Sequence, residues 1–413
     1  MLKTSTMHIE SWGFNMHGMI KRSIKTKLLQ DLSFFPVVCL IGPRQCGKST
    51  LAKEVLEEYP SEKSIFLDLE RDSDIAKLIH AEEFLQQHIN QTVCLDEVQR
   101  KPDLFPLLRA LIDLNRVPAR YLLLGSASSE VINESSESLA GRISYQELSP
   151  FLILEVLVLS ETAHEKNIKT KTLWERGGFP DSFLAQNSEL SYRWREEFIK
   201  TFIERDIPML DIRIPALTLN RLLSMIAHSH GQILNLSKLG DSLGSSHTSV
   251  RQYIDLFENT FILRTLPPFE ANLKKRLIKS PKIYVRDSGL LHALLKLDSL
   301  SEILSHPVCG SSWECFVIEN ILQSLSNKWS YGFYRTQAGA ELDLVLEKGT
   351  RRIAVECKLS HTPTLSKGFW RACEDLEIEE AYVIAPVTES FPAGKSDKTK
   401  CVVISLFDFI LRL

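Results

Sequence analysis

The run Gly42-Pro43-Arg44-Gln45-Cys46-Gly47-Lys48-Ser49, followed by Thr50, has the residue types and spacing of a phosphate-binding loop. Its glycines let backbone N–H groups curl around phosphate oxygens, and a helix starting near Ser49 adds its positive end. Lys48 is the expected partner of the β and γ oxygens, and the Ser49 hydroxyl of Mg²⁺. Val93-Cys94-Leu95-Asp96-Glu97 supplies the other half of such a site, a buried strand ending in two carboxylates. Asp96 would hold Mg²⁺ through water, and Glu97 would polarise the attacking water. ATP and Mg²⁺ are therefore the expected cofactors and ATP hydrolysis the expected activity. Ser126 follows a further strand and can sense the γ-phosphate or orient the water; it is equally suited to capping a helix. Arg142 is placed to be a catalytic arginine supplied in trans, against a surface arginine or an internal salt bridge.

A second constellation lies near the C-terminus. Glu341-Leu342-Asp343-Leu344-Val345-Leu346 reads as a strand, turns at 347–350, and is followed by Ile353-Ala354-Val355-Glu356-Cys357-Lys358. The two-residue period puts Glu356 and Lys358 on one face. With Asp343 on the neighbouring strand, they make the Asp…Glu-x-Lys arrangement of restriction-type nucleases. Two carboxylates there would hold Mg²⁺ and the lysine would position or activate water. A helix over Trp313–Leu325 offers Glu314 or Glu319 as an extra acid, Glu319 being nearer its mid-face, and Gln337 precedes the first strand. A scaffold or DNA-binding domain that merely keeps these residues is the competing expectation.

Two further stretches carry polar candidates. Leu236–Leu243, the turn Gly244-Ser245-Ser246 and His247–Glu258 read as helix, tight turn, helix, with Ser246 as N-cap and Val250, Tyr253, Ile254 and Phe257 as the apolar stripe. The strand Ile262–Leu266, ended by Pro267-Pro268, suits a wing. Such a helix would offer His247, Thr248, Arg251 and Gln252 to a DNA groove, or the module would only pack. Lys274-Lys275-Arg276, Lys279 and Lys282 form the densest basic segment, able to grip phosphates or to lie as a solvated face. His228 and His230 flank a helix end, where capping is the expectation rather than metal binding.

These residues need elements to hold them. The strands Val37–Ile41, Ile65–Leu69, Thr92–Leu95 and Tyr121–Leu124 are continuous apolar runs, as in parallel sheets covered on both faces. Helices are expected over Glu189–Asp206 and Leu217–His228. With 413 residues the chain exceeds one ordinary core. The expected division is a disordered extension over 1–18, with the fold starting near Met19-Ile20-Lys21-Arg22. An ATPase core (19–160), a helical region (161–230), a winged helix (231–282) and a C-terminal α/β domain (283–413) follow. A net charge of −3 excludes bulk polycation binding to nucleic acid, so any DNA contact is local. No stretch reaches the roughly 20 apolar residues of a membrane span. The eight cysteines form no Cys-x-x-Cys pair, which gives no zinc or redox motif and fits a reducing cytoplasm.

Gly-Pro-Arg-Gln-x-Gly-Lys-Ser, Leu-Asp-Glu-Val-Gln (95–99), Gly-Ser-Ala-Ser (125–128), Ser-Leu-Ala-Gly-Arg (138–142), Arg-Gly-Gly-Phe-Pro (176–180) and Glu-Arg-Asp-Ile-Pro (204–208) occur together. This set resembles the prokaryotic AAA+ superfamily ATPases whose C-terminal domain, of unknown function, has a restriction-nuclease-like fold. The resemblance runs from about Met19 to the C-terminus. It implies an α/β protein: a P-loop AAA-type parallel sheet, a helical and winged-helix region, and a restriction-endonuclease-like α/β domain. Arg142 holds the position of the AAA-type arginine finger, which implies self-association. Cys46 departs from the usual Val, Thr or Ser; only its backbone should face phosphate, but its thiol is expected to be open to oxidation or alkylation. The leading expectation is an ATP-driven protein acting on DNA. A nucleotide-dependent switch recruiting a protein partner and an ATP-gated, Mg²⁺-dependent nuclease are the alternatives.

Overall fold

The computed structural model describes residues 20–58, 64–126, 139–210, 214–269, 277–395 and 398–413. The extension expected over 1–18, the basic triplet Lys274-Lys275-Arg276, and Ala127, Ser128 and Ser138 of the quoted motifs lie outside the described residues.

The N-terminal part alternates α1 (Lys25–Leu32), β1 (Val37–Ile41), α2 (Lys48–Glu58), β2 (Ser64–Asp68), α3 (Asp72–Lys77), α4 (Ala81–Gln87), β3 (Thr92–Asp96), α5 (Leu104–Leu114), β4 (Tyr121–Gly125) and β5 (Ile143–Glu147). The strands form one parallel sheet in the order β2-β3-β4-β1-β5. Every residue of β1, β3 and β4 is buried, which is why these strands read as unbroken apolar runs. The edge strand β5 is mostly half-buried and its Ile-Ser-Tyr-Gln-Glu sequence gives no such run, so the sequence pattern does not mark it. Because β4 lies between β1 and β3, the carboxyl ends of three strands present the P-loop, Ser126 and Asp96 side by side. That is where open α/β sheets bind ligands.

The middle part comprises α6 (Ile153–Leu157), α7 (Ala163–Arg176), α8 (Pro180–Phe183), α9 (Ser188–Thr201), α10 (Ala216–His228), α11 (Leu236–Leu243), α12 (His247–Asn259), β6 (Leu263–Leu266), β7 (Lys282–Val285), α13 (Ser288–Leu294) and α14 (Leu300–Ser305). The helix expected over 189–206 is α-helical only to Thr201; Phe202–Asp206 continues as one π-helical turn. In α11, the Asn235 side chain accepts from Lys238 N, and Gly244 ends the helix in the left-handed region at φ 63°. Ser246 then caps α12 by accepting from Ser249 N at 3.0 Å, which is worth about 1 kcal/mol. Val250, Ile254 and Phe257 are fully buried on the inner face of α12. Each such apolar side chain stabilises the packing by roughly 1.5–3 kcal/mol.

The last part is α15 (Cys309–Ser324), β8 (Ser330–Arg335), β9 (Glu341–Lys348), β10 (Arg351–Cys357), α16 (Lys367–Asp375), β11 (Glu380–Ile384), β12 (Phe391–Lys395), β13 (Lys400–Ile404) and α17 (Leu406–Ile410). Its six-stranded sheet has the order β12-β13-β11-β10-β9-β8. The strands β8, β9 and β10 pair antiparallel, and β10, β11 and β13 pair parallel.

One apolar cluster takes in Phe151, Leu222, Phe257, Tyr284, Trp313, Leu344, Val355 and Ile404, so the middle helices and one face of the C-terminal sheet share a core. The boundary expected at 282/283 falls inside β7, because Leu263–Leu266 pairs antiparallel with Lys282–Val285 across it.

Candidate functional site

The P-loop leaves the end of β1 and returns as α2. Gly47 has φ 99°, a conformation that favours glycine. At Gly42 a Cβ atom would lie 2.2 Å from the Leu148 carbonyl oxygen, so only glycine fits beside the chain leaving β5. The Lys48 ammonium is buried and donates to the carbonyls of Gly42 (3.0 Å) and Pro43 (2.8 Å), while Ser49 Oγ donates to Asp96 Oδ2 at 2.5 Å. Burial raises the Asp96 carboxyl above its ordinary range, the Ser49 hydrogen bond opposes this, and Glu97 adds to the rise. Gln45 and Thr50 are exposed.

Cys46 corrects an expectation. Its side chain is 0% exposed and points inward, with Sγ donating to the Leu148 carbonyl at 3.4 Å. Burial pushes its thiol pKa up, so the thiol is shielded rather than open to alkylation. The Cys46 carbonyl accepts from Arg22 Nη1 at 2.8 Å, and Arg22 also pairs with Glu155 at 3.2 Å behind the loop.

Glu97 follows β3 in the left-handed region (φ 55°, ψ 46°), a strained backbone for a non-glycine residue that turns its carboxylate out of the strand line. That carboxylate accepts from Ser126 Oγ at 3.0 Å and from the Gln99 amide, whose Nε2 also donates to Ser126 Oγ at 3.0 Å. Glu97, Ser126 and Gln99 thus form one cluster on the site side of the sheet. Arg44, within the P-loop, reaches the other way, to Glu70 at 2.8 Å and to Asp206 in the π-helical turn. Burial raises the Asp206 carboxyl while Arg44 opposes it. Arg44, Glu97, Ser126, Phe202, Asp206 and Ile262 line a cleft of about 410 Å³ between the sheet and the middle helices.

Arg142 is elsewhere. Its carbonyl accepts from Val37 N at 3.1 Å, at the opposite end of β1 from the P-loop, and its guanidinium pairs with Asp113 at 2.7 Å. A five-residue strand is about 13 Å long, so Arg142 does not reach the nucleotide site of its own chain.

In the C-terminal sheet, Asp343 and Glu356 sit on adjacent strands, and Asp343 Oδ2 accepts from Cys357 N at 2.9 Å. Lys358 pairs with Glu356 at 2.8 Å. Glu314 of α15 joins them: it shares a cleft of about 700 Å³ with Asp343, Glu356 and Lys358, and accepts from Tyr284 Oη at 2.5 Å. Burial and the Asp343 charge raise both the Glu314 and the Glu356 carboxyls. Glu319, expected as the extra acid, is not in this group. Five residues further along α15 it points about 140° away, and it binds Arg264 and, at 3.1 Å, Arg286. Arg286 also pairs with Glu147 at the end of β5, so Glu319 belongs to an ionic cluster between ATPase sheet, β6–β7 and α15. Gln337 is exposed in the β8–β9 turn and does not line the cleft. Among the described residues, no group of three or more His, Cys, Asp and Glu side chains is arranged to hold a metal ion.

Lys282, read from sequence as part of a basic surface, is 4% exposed and reaches into this cleft. Burial alone would lower its pKa; Glu314, Asp343 and Glu341 outweigh that and raise it. On α12, His247, Thr248, Arg251 and Gln252 are exposed, but Arg251 is engaged by Asp255 at 2.9 Å and Glu258 at 3.8 Å. His230 is buried, accepts from Val285 N at 3.1 Å and packs on Tyr284, and burial lowers its pKa to about 3. Sequence reasoning gave no role to Arg22, Asp206 or Gln99, although Gln99 and Asp206 both lie in quoted motifs, 95–99 and 204–208.

Residues 35–157 match a family model described as an AAA domain. Residues 167–301 and 309–407 match two domains of unknown function, DUF8612 and DUF4143. The Mycobacterium tuberculosis (strain H37Rv) protein Rv2008c is 40% identical over 373 residues, covering 90% of this chain and 81% of the relative. A Haemophilus influenzae protein is 24% identical over 294 residues, covering 65% of this chain and 71% of its own. Among solved structures, a Walker-type ATPase of Pyrococcus abyssi is similar with a TM-score of 0.48 at 15% identity, covering 68% of this chain and 97% of that one. Among the described residues, no helix is long and apolar enough to cross a membrane.

Proposed function

Because the chain belongs to the family of Rv2008c from Mycobacterium tuberculosis and is a P-loop ATPase of the AAA type over residues 35–157, we propose that it hydrolyses ATP and uses the cycle as a switch acting on its middle helices. One observation carries this reading: Arg44 of the P-loop is bonded to Asp206 in the π-helical turn, across the cleft that holds Glu97. In this reading phosphate oxygens replace the two carbonyls on Lys48, and Glu97, held by Ser126 and Gln99, takes the proton from the attacking water. Ser49 and Asp96, a hydroxyl and a carboxylate already in contact, are the donor set that fits Mg²⁺. When bound, that ion neutralises charge on the β and γ oxygens. Phosphate charge next to Arg44 competes with Asp206 for the guanidinium, and so changes the hold of the P-loop on α9 and the turn after it.

Arg142 is read as a finger for a neighbouring chain, supported by its placement far from the site of its own chain and by the solvent exposure of its ion pair with Asp113. The C-terminal unit is read as a restriction-endonuclease-like fold, supported by its mixed sheet and the adjacent Asp343, Glu356 and Lys358. Action on DNA is the second reading, supported by the exposed residues of α12, the second helix of a capped helix-turn-helix. Arg251 weighs against it, since its charge is already met by two acids.

The test is Glu97→Gln. The variant is expected to bind ATP as the parent does while turnover falls at least ~100-fold; unchanged hydrolysis removes Glu97 from its role. The same assay on single-stranded, duplex and branched DNA separates the readings, since stimulation favours action on DNA and its absence favours the switch.

A further inference from the structure

The acids at the C-terminal site come from two elements, Glu314 on α15 and Glu341, Asp343 and Glu356 on the sheet. A restriction-type nuclease would place a divalent cation among them. That seat is taken by a side chain of this chain. The Lys282 ammonium lies 3.0 Å from Glu314 Oε1, 3.4 Å from Glu341 Oε1 and 3.8 Å from Asp343 Oδ1. Lys282 is not a loose surface residue that happens to lean in. Its backbone pairs with Leu266 on one side and bridges to Ile233 on the other, and its ammonium lies 5.6 Å from the ring centroid of Phe333. Tyr284, two residues along the same strand and therefore on the same face, donates to the same Glu314 oxygen.

We infer that the acidic centre of the C-terminal sheet carries its own cation, Lys282, in place of a divalent metal ion, and that it serves to dock β7 on that sheet. The charges agree with this assignment. Four carboxylates line the cleft, and they are met by three cations, Lys282, Lys358 on Glu356, and Arg335 at 3.5 Å from Glu341. A divalent ion entering here would meet a buried ammonium at a distance where like charges repel strongly in a low-dielectric site. Lys282 belongs to the two-stranded sheet that follows α12, so the contact ties the middle helices to the C-terminal unit through the pocket where a nuclease would keep its metal. Metal-dependent cutting at this site then has no place for its metal, and bound Mg²⁺ is confined to the P-loop.

The test counts Mn²⁺ by electron paramagnetic resonance on the full chain, without nucleotide, in a Ser49→Ala/Asp96→Asn background that removes the P-loop ligands. With Lys282 present, no Asp343-dependent Mn²⁺ is expected up to about 1 mM. Lys282→Met in the same background is expected to gain one Mn²⁺ site at least ~100-fold tighter, which a further Asp343→Asn change abolishes. Mn²⁺ is also expected to raise the melting temperature of Lys282→Met and not that of its parent; if that variant folds only when Mn²⁺ is added, the inference is equally supported. Mn²⁺ bound to the Lys282 chain and lost on Asp343→Asn would overturn the inference, as would anomalous density beside Asp343 in a Mn²⁺-soaked crystal of the unaltered protein. A folded Lys282→Met chain indifferent to Mn²⁺ would overturn it too, because the acids would then be no cation seat at all.

Discussion

Arg22 is the third of the described residues, yet it braces the nucleotide loop from behind. Its side chain is 6% exposed and pairs with Glu155, itself 2% exposed, while its guanidinium also serves the carbonyls of Cys46 and Ser149. Glu155 is further held by Ser23 N at 2.8 Å and Leu152 N at 3.0 Å. Arg22→Ala would leave that carboxylate buried without its cation, a change that costs about 3–5 kcal/mol. Two backbone acceptors lose a donor as well, at about 1–3 kcal/mol each where water cannot enter. We therefore expect a total loss of about 4–6 kcal/mol, the upper range of single substitutions, because water will reach part of the vacated space. The N-terminal unit should unfold at lower urea, and ATP affinity should weaken by about tenfold or more because the Cys46 carbonyl sits within the P-loop. The Arg22→Met/Glu155→Gln double variant removes both charges and should recover only the part of the loss that comes from the unpaired carboxylate, since the carbonyls of Cys46 and Ser149 still lack their donor. Urea unfolding followed by limited proteolysis, with ATP titration by fluorescence, makes the measurement. A loss below about 1 kcal/mol with unchanged ATP affinity would show that the buried pair is not the brace described here.

Arg142→Ala should lower ATP turnover by a factor of about 10³ or more if the arginine completes a neighbour's site. Mixing Arg142→Ala with Glu97→Gln chains should recover part of the activity, because a site built from the Glu97 of the first chain and the Arg142 of the second is intact while the reverse arrangement lacks both; no recovery, and equal effects of Arg142→Ala and Asp113→Asn, would leave only the internal ion pair. Burial, then the neighbouring Asp343 charge, raise the Glu356 carboxyl, with Lys358 opposing. Its folded value therefore lies above the ordinary ~4.3, so its contribution to stability is complete below that pH and is lost as pH rises towards the folded value. Glu356→Gln, which stays neutral, should thus gain in melting temperature relative to the parent between about pH 5 and pH 8, and a pH-independent difference would contradict the assignment.

The P-loop and the Asp96-Glu97 pair were legible because their chemistry is contiguous and their strands, buried on both faces, announce themselves as apolar runs. The helix-turn-helix was legible from its caps, Asn235, Gly244 and Ser246, and from the stripe of α12. The missing strand β5 is an edge element without an apolar run, and β8 was hidden for a related reason, since its ends are exposed and its middle carries Gly332. Glu314 and Glu319 could not be ranked from sequence, since choosing between them requires the rotation of α15 against the sheet.

By itself, the sequence determined the glycine-rich loop between β1 and α2, the strand that ends in Asp96, the parallel sheet beneath them and the neighbouring placement of Asp343, Glu356 and Lys358, because each depends on neighbours a few residues apart or on a strand's two-residue period. Only the tertiary structure decided the rest. It buried the Cys46 thiol, set Arg22 behind the P-loop, joined Arg44 to Asp206 across 162 residues, and turned Lys282 from an apparent surface base into the cation of an acidic centre. The physical reason is common to all four. Burial and charge pairing depend on what packs opposite a side chain, and those partners come from parts of the chain that no local pattern brings together.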